Sequence, residues 1–135
     1  MGIDTSISFD SVALTELEFK LNKNFKRPKD GIPVKADISI KKTFSPNKKT
    51  LYLILTLSLF EKAKNKPFEM KVSVQGIFSG KNYKDLEQFS KVNASAHLFP
   101  FVREIIGNTT LKANIPPLLL PPFNLSSVLS KGKKR

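Results

Sequence analysis

The chain has 135 residues, a length for one domain with a single modest core, and its 40% hydrophobic content excludes wholesale disorder. It has no cysteine, which excludes disulfides and thiolate metal sites. The formal charge of +12, from 23 Lys and Arg against 11 Asp and Glu, is of a kind that favours acidic partners, but with the lysines spread through the chain a solvated lysine surface is the plainer explanation. Only Arg27, Arg103 and Arg135 offer bidentate contacts.

The N-terminal MGIDTSISFD has no basic region followed by an apolar core and does not read as a signal peptide. Four strand signals follow. Ile7–Leu21 alternates in places, with Leu17, Phe19 and Leu21 on one face. Asn22–Gly31 is polar and basic, punctuated by Pro28 and Asp30-Gly31. In Val34–Phe44, Val34, Ala36, Ile38 and Ile40 share a face opposite Lys35, Asp37, Ser39 and Lys41. Leu51–Phe60 sets five leucines on one face and Tyr52, Ile54, Thr56, Ser58 and Phe60 on the other, a pattern expected for a strand covered on both sides in its first half. Phe68–Phe78 alternates Phe68, Met70, Val72 and Val74 with polar residues, and Gly76 offers a place for a bulge. The short links favour an antiparallel meander.

Beyond residue 80 the period changes to helical. Tyr83–Val92 carries Leu86 and Phe89, and Leu98–Leu111 aligns Leu98, Phe101, Val102, Ile105 and Ile106. Pro100 belongs near the start of this helix or else kinks it, and Gly107-Asn108 loosens its end. The prolines of IPPLLLPPF (Ile115–Phe123) forbid a helix there, and Asn124 can cap a short one at Leu125–Leu129. The expectation is a single domain over residues 1–130, with strands over about 7–80, helices and a Pro-rich connecting loop over about 83–130, and a basic tail at 131–135.

Catalytic chemistry is not visible. Acid–base and nucleophilic mechanisms need positioned titratable groups, and the single histidine, His97, sits in an apolar stretch without a second ligand or base in motif spacing. Gly76–Lys81 is one residue short of a phosphate-binding loop, with Asn82 where a Ser or Thr belongs. The longest apolar run, Leu51–Phe60, is about half of a membrane span. A cytoplasmic protein with no enzymatic activity, no metal and no cofactor is expected.

Two stretches, FEMKVSVQGIF (Phe68–Phe78) and HLFPFVREIIGNTTLKANIPPLLLPPFNLSSVL (His97–Leu129), resemble the C-terminal half of the SecB family of export chaperones. That family carries a Gly-Ile-Phe strand end, a Leu-Phe-Pro-aromatic-x-Arg-Glu helix and a Pro-rich apolar loop in the same order, and here Leu98–Glu104 supplies the helix block. The N-terminal half matches only in strand pattern. The resemblance implies an α+β fold, a four-stranded antiparallel sheet with C-terminal helices packed on one face, assembled as a homotetramer (dimer of dimers). It implies ATP-independent binding of unfolded preproteins in an apolar groove, with hand-over to the SecA motor in export members and service to a toxin–antitoxin partner in some relatives.

By the same resemblance the peptide-binding candidates are Phe78, Phe99, Phe101, Leu118, Leu120 and Phe123. Met70, Val72 and Val74 correspond to positions of subunit packing, and Glu69 and Lys71 to partner docking. An apolar loop stiffened by prolines suits one wall of such a groove, although the same loop packed on its own sheet would merely close the core. Lys71, the net charge and the basic tail Lys131–Arg135 depart from the acidic character of export members and weigh against SecA docking more than against client binding. A different class, a basic nucleic-acid-binding or adaptor module, would show steeply salt-dependent binding, but no recognition motif accompanies the charge.

Overall fold

The computed structural model describes residues 7–26 and 35–115. The Pro-rich loop after Ile115, the expected helix Leu125–Leu129 and the basic tail lie outside the described residues. Four strands, β1 (Ile7–Leu21), β2 (Ala36–Phe44), β3 (Thr50–Leu59) and β4 (Phe68–Gly80), precede two helices, α1 (Tyr83–Phe89) and α2 (Asn93–Lys112).

All pairings are antiparallel and the spatial order is β1-β4-β3-β2. The expected meander therefore holds for β2, β3 and β4, while β1 lies on the far side of the sheet. β1 and β2 thus stand at opposite edges, three inter-strand spacings or roughly 14 Å apart at about 4.8 Å each, in the strand order of a Greek key. Asn22 anchors the start of the connection between them, its amide N–H donating to the Pro67 carbonyl at 3.0 Å and its Nδ2 to the Lys66 carbonyl at 2.8 Å.

The irregular alternation of β1 has a cause in register. The ladder to β4 shifts between Phe9 and Ser11 and again between Leu14 and Glu16. Each extra residue, Asp10 and then Thr15, returns the next apolar residue to the same face. Ile7 and Phe9, then Val12 and Leu14, then Leu17, Phe19 and Leu21 thus share one side of the sheet. Gly76, by contrast, sits in unbroken register with Leu53 and makes no bulge.

The function of Gly76 is closeness. A Cβ at this position would lie 2.6 Å from Leu98 Cδ2 and 3.0 Å from the Phe78 ring. Leu98 is fully buried, so its methyls have nowhere to retreat. Around this contact α2 lies over β4 and β3, above Leu51, Leu53, Leu55, Leu57 and Leu59 of β3 and Phe68, Met70, Val72, Val74 and Phe78 of β4, all buried. Leu86 and Phe89 of α1 join the same core.

Several details of the chain differ from the periodicity. β3 ends at Leu59, and Phe60, at φ 59°, turns back to the core side, where its ring meets Phe68 at 5.2 Å. On the outer face of β3 it is the second half that is covered: Ser58 is buried, whereas Tyr52 is exposed. Helix α2 begins at Asn93, so Pro100 is interior; the N–H it lacks leaves the exposed Ala96 carbonyl to solvent. The helix also runs through Gly107 to Lys112. Asn114, at φ 60°, ends it: the Asn114 N–H donates to Leu111 and the Ile115 N–H to Thr110, closing a Schellman turn with Ile115 against the core. The buried stripe is Ala94, Leu98, Val102, Ile106 and Thr110, and Phe101 falls at its margin.

The substitution Gly76→Ala is expected to destabilise the fold by roughly 1–3 kcal/mol, as overpacking does. Urea unfolding of Gly76→Ala, Leu98→Ala and the double variant should give a double cost smaller than the sum of the two single costs, because both act on one contact.

Candidate functional site

The inner face of the sheet is unevenly covered. Helix α2 lies on β4 and β3, and among the described residues the row contributed by the edge strand β1 is left largely open. Phe9 is 39%, Leu14 49%, Leu17 43% and Leu21 39% exposed, with Phe101 of α2 beside them at 37%. An apolar row of this length, facing the core side of a sheet yet reachable from outside, is a surface of the type that marks interaction sites. Full burial of each such side chain is worth roughly 1.5–3 kcal/mol, a reserve that an extended apolar segment can draw on.

One end of this strip is an aromatic cluster. The Phe9 ring stacks on Phe78 at 4.9 Å, with Phe101 edge-on to Phe9 at 6.2 Å and Phe89 against Phe78 at 5.1 Å. His97 completes it, 5.8 Å from Phe9 and 5.4 Å from Phe89. Its Nδ1 lies 2.7 Å from the Asn93 carbonyl, which can only accept, so Nδ1 carries the proton of the neutral ring.

The residues singled out by resemblance fall in different places. Phe101 reaches the strip. Phe78 is fully buried and can only back Phe9, and Phe99, 8% exposed, lies with the Arg103 guanidinium 6.0 Å from its ring. Leu118, Leu120 and Phe123 lie outside the described residues. Met70, Val72 and Val74 are 1%, 0% and 1% exposed beneath the helices, so their side chains have no area to offer a partner subunit in this conformation. Phe9, Leu14, Leu17 and Leu21 were not among the candidates. The alternation of Leu17 with Leu21 is visible in the sequence, but the bulges hide Phe9 and Leu14, and it is the position of α2 that leaves this row open among the described residues.

The outer face has different chemistry. Glu16, Asp37, Ser39, Thr56, Ser58, Glu61, Lys62 and Lys71 surround a shallow polar hollow of about 420 Å³. Within it Thr56 Oγ1 and Ser73 Oγ lie 2.7 Å apart, Ser73 Oγ donates to Glu16 at 3.4 Å, and Lys71 Nζ approaches Glu16 at 3.8 Å. Glu69 and Lys71 are both on this face, Glu69 paired with Lys66 at 3.4 Å. The hydrogen bond and negative charge of Glu16 push Glu18 above the ordinary glutamate value, while Lys71 pulls it down. Among the described residues no group of three His, Cys, Asp or Glu could hold a metal ion, and no helix is long and apolar enough to cross a membrane.

Comparison with known proteins agrees with this architecture. The family model described as preprotein translocase subunit SecB matches residues 7–135. An uncharacterized protein of Methanocaldococcus jannaschii is 30% identical over 129 residues, 93% of this chain and 83% of that protein. Protein-export protein SecB of Neorickettsia sennetsu is 36% identical over 69 residues, 50% of this chain and 42% of its own length. The same protein of Anaplasma phagocytophilum is 36% identical over 69 residues, 47% of this chain and 44% of its own. Both of these matches span less than half of the relative. Among solved structures, a SecB-like chaperone of Mycobacterium tuberculosis, in complex with a ChAD peptide from the HigA1 antitoxin, superposes with a TM-score of 0.63 at 13% identity, covering 88% of this chain and 91% of that one.

Replacing Glu16 by Gln is expected to return Glu18 toward or below its ordinary value, read by carboxyl-carbon NMR titration. A raised folded value means that protonation of Glu18 favours folding, a contribution present at low pH and lost as pH rises through that value. Glu16→Gln should flatten this dependence.

Proposed function

This chain belongs to the SecB family, and from that premise we propose that it is an ATP-independent chaperone holding non-native polypeptide in an extended form along the open β1 strip. The observation that carries the reading is the row Phe9, Leu14, Leu17 and Leu21, apolar and exposed on the core side of the sheet beside Phe101. Side chains alternating along an extended client meet such a row with little demand on sequence. Binding unfolded chains in preference to folded ones needs no nucleotide, because mass action alone shifts the client toward the bound, unfolded form. The chain performs no covalent chemistry of its own in this reading. In this reading the apolar Leu118, Leu120 and Phe123 also take part in client binding, Phe78 supports Phe9 from below, and Phe99 holds the helix that presents Phe101.

Two clients fit. Export preproteins follow from the protein-export relatives, with the outer face bearing Glu69 and Lys71 as the surface for a motor such as SecA. An unstable antitoxin follows from the M. tuberculosis structure, whose chaperone is bound to an antitoxin peptide. Cytoplasmic residence and assembly as a homotetramer accompany either. Met70, Val72 and Val74 then contribute to assembly by shaping the sheet from inside.

The purified protein should suppress aggregation of a chemically unfolded test protein without ATP, at stoichiometric excess. The double variant Leu14→Ser/Leu17→Ser should weaken suppression several-fold with little change in thermal midpoint, since both side chains are already half exposed. Leu118→Ser/Leu120→Ser should weaken it as well. Light scattering reads the first effect and circular dichroism the second; undiminished aggregation in excess protein would overturn the proposal.

A further inference from the structure

The apolar strip is bounded at both ends by lysine. It follows the stretch of β4 from Phe68 to Phe78, roughly 33 Å at about 3.3 Å per residue. Along it the inner-face residues of β1 are all uncharged. At the Leu21 end, Lys20, Lys64, Lys66 and Glu69 line a hollow of about 310 Å³ together with Leu21 and Phe68. Lys20 stands opposite Glu69 on the outer side of the ladder, and Lys66 pairs with Glu69 at 3.4 Å and reaches the Glu61 carbonyl at 3.5 Å, so the excess positive charge at this end comes from Lys64 with Lys23 and Lys26, both exposed on the connection that follows.

The Phe9 end is similar. Ile7 pairs with Gly80, whose N–H donates to the Lys49 carbonyl at 2.9 Å, so Lys49 and Lys81 lie at this end of the sheet. Lys48 Nζ stands 5.2 Å from the ring of Tyr83, and Lys84 follows on α1. Among the described residues the acids at this end are Asp10, which accepts from Ser8 Oγ at 2.7 Å, and Asp85, bonded to Asn82. Glu16 and Glu18 belong to the outer face. Lysine thus exceeds carboxylate at each end of an uncharged apolar row.

Building on the chaperone reading above, we propose that the preferred clients are apolar stretches of about ten residues flanked on both sides by Asp or Glu. The Debye length at physiological salt is about 8 Å, so each lysine group acts on the flank that reaches it and not on the middle of the segment. Acidic flanks then gain at both ends, and basic flanks at the same positions meet like charge.

The test uses three fluorescent peptides with one apolar core of about ten residues and acidic, neutral or basic flanks, titrated by anisotropy with the full chain. At low salt the acidic-flanked peptide should bind about ten-fold more tightly than the basic-flanked one, the gap closing near 0.5 M salt. Lys64→Glu/Lys81→Glu should abolish the preference while leaving the neutral peptide bound. The charge-matched control Lys41→Glu/Lys71→Glu, both on the outer face, should preserve it. Equal affinities for the three peptides at low salt, or equal loss in the control, would overturn the inference and leave the chaperone reading standing. Polyglutamate without an apolar core binding as tightly would also overturn it, marking a plain anion surface. If none of the three peptides binds, the chaperone reading itself fails.

Discussion

The packing of this domain depends on a missing side chain. Where β4 passes under α2, Gly76 presents bare backbone to Leu98, and any Cβ would overlap the leucine methyls. That contact lets the helix settle on the central strands deeply enough to bury Phe78 and the leucine row of β3. It also fixes where the helix is not. A helix is about 10 Å across and each strand occupies about 4.8 Å, so one helix seated over β4 and β3 does not cover an edge strand as well.

Among the described residues, the edge left uncovered is therefore a consequence of the same contact that closes the core. Most edge strands turn polar toward solvent. β1 instead inserts two extra residues, at Asp10 and Thr15, and each insertion restores Phe, Val or Leu to the inner face. A bulge weakens its ladder locally, and the two in this strand keep residues of two kinds on the inner face: Val12 and Phe19, packed against the core, and Leu14, Leu17 and Leu21, exposed beside them. The aromatic cluster of Phe9, Phe78, Phe89 and His97 holds one end of that row rigid against the core.

The two faces of the sheet divide the chemistry. The inner face offers apolar area with lysine at its ends, and the outer face offers hydroxyls, paired charges and the Glu16–Glu18 couple. A member of the SecB family with this division can hold a client on one side and leave the other for a different partner. The mixture of Glu16, Lys62 and Lys71 on the outer face also shows how the excess of lysine is distributed: charge of both signs is interleaved there, while the ends of the strip are basic.

Much of this was legible in the chain itself. Period two located four strands, the helical period located two helices, and the ordered blocks around Gly76 and Leu98–Glu104 pointed to the family, because local side-chain alternation and motif order are properties of sequence. Other features were not legible. The role of Gly76 required knowing that Leu98 lies above it, and the exclusion of Phe101 from the buried stripe required the position of Phe9. The open row on β1 needed both the bulges, which erase the period in sequence, and the strand order β1-β4-β3-β2, which makes β1 an edge. Local pattern determines which residues share a face; which face is covered, and how far, is decided only when distant segments pack, since burial is a property of neighbours that the chain brings together from afar.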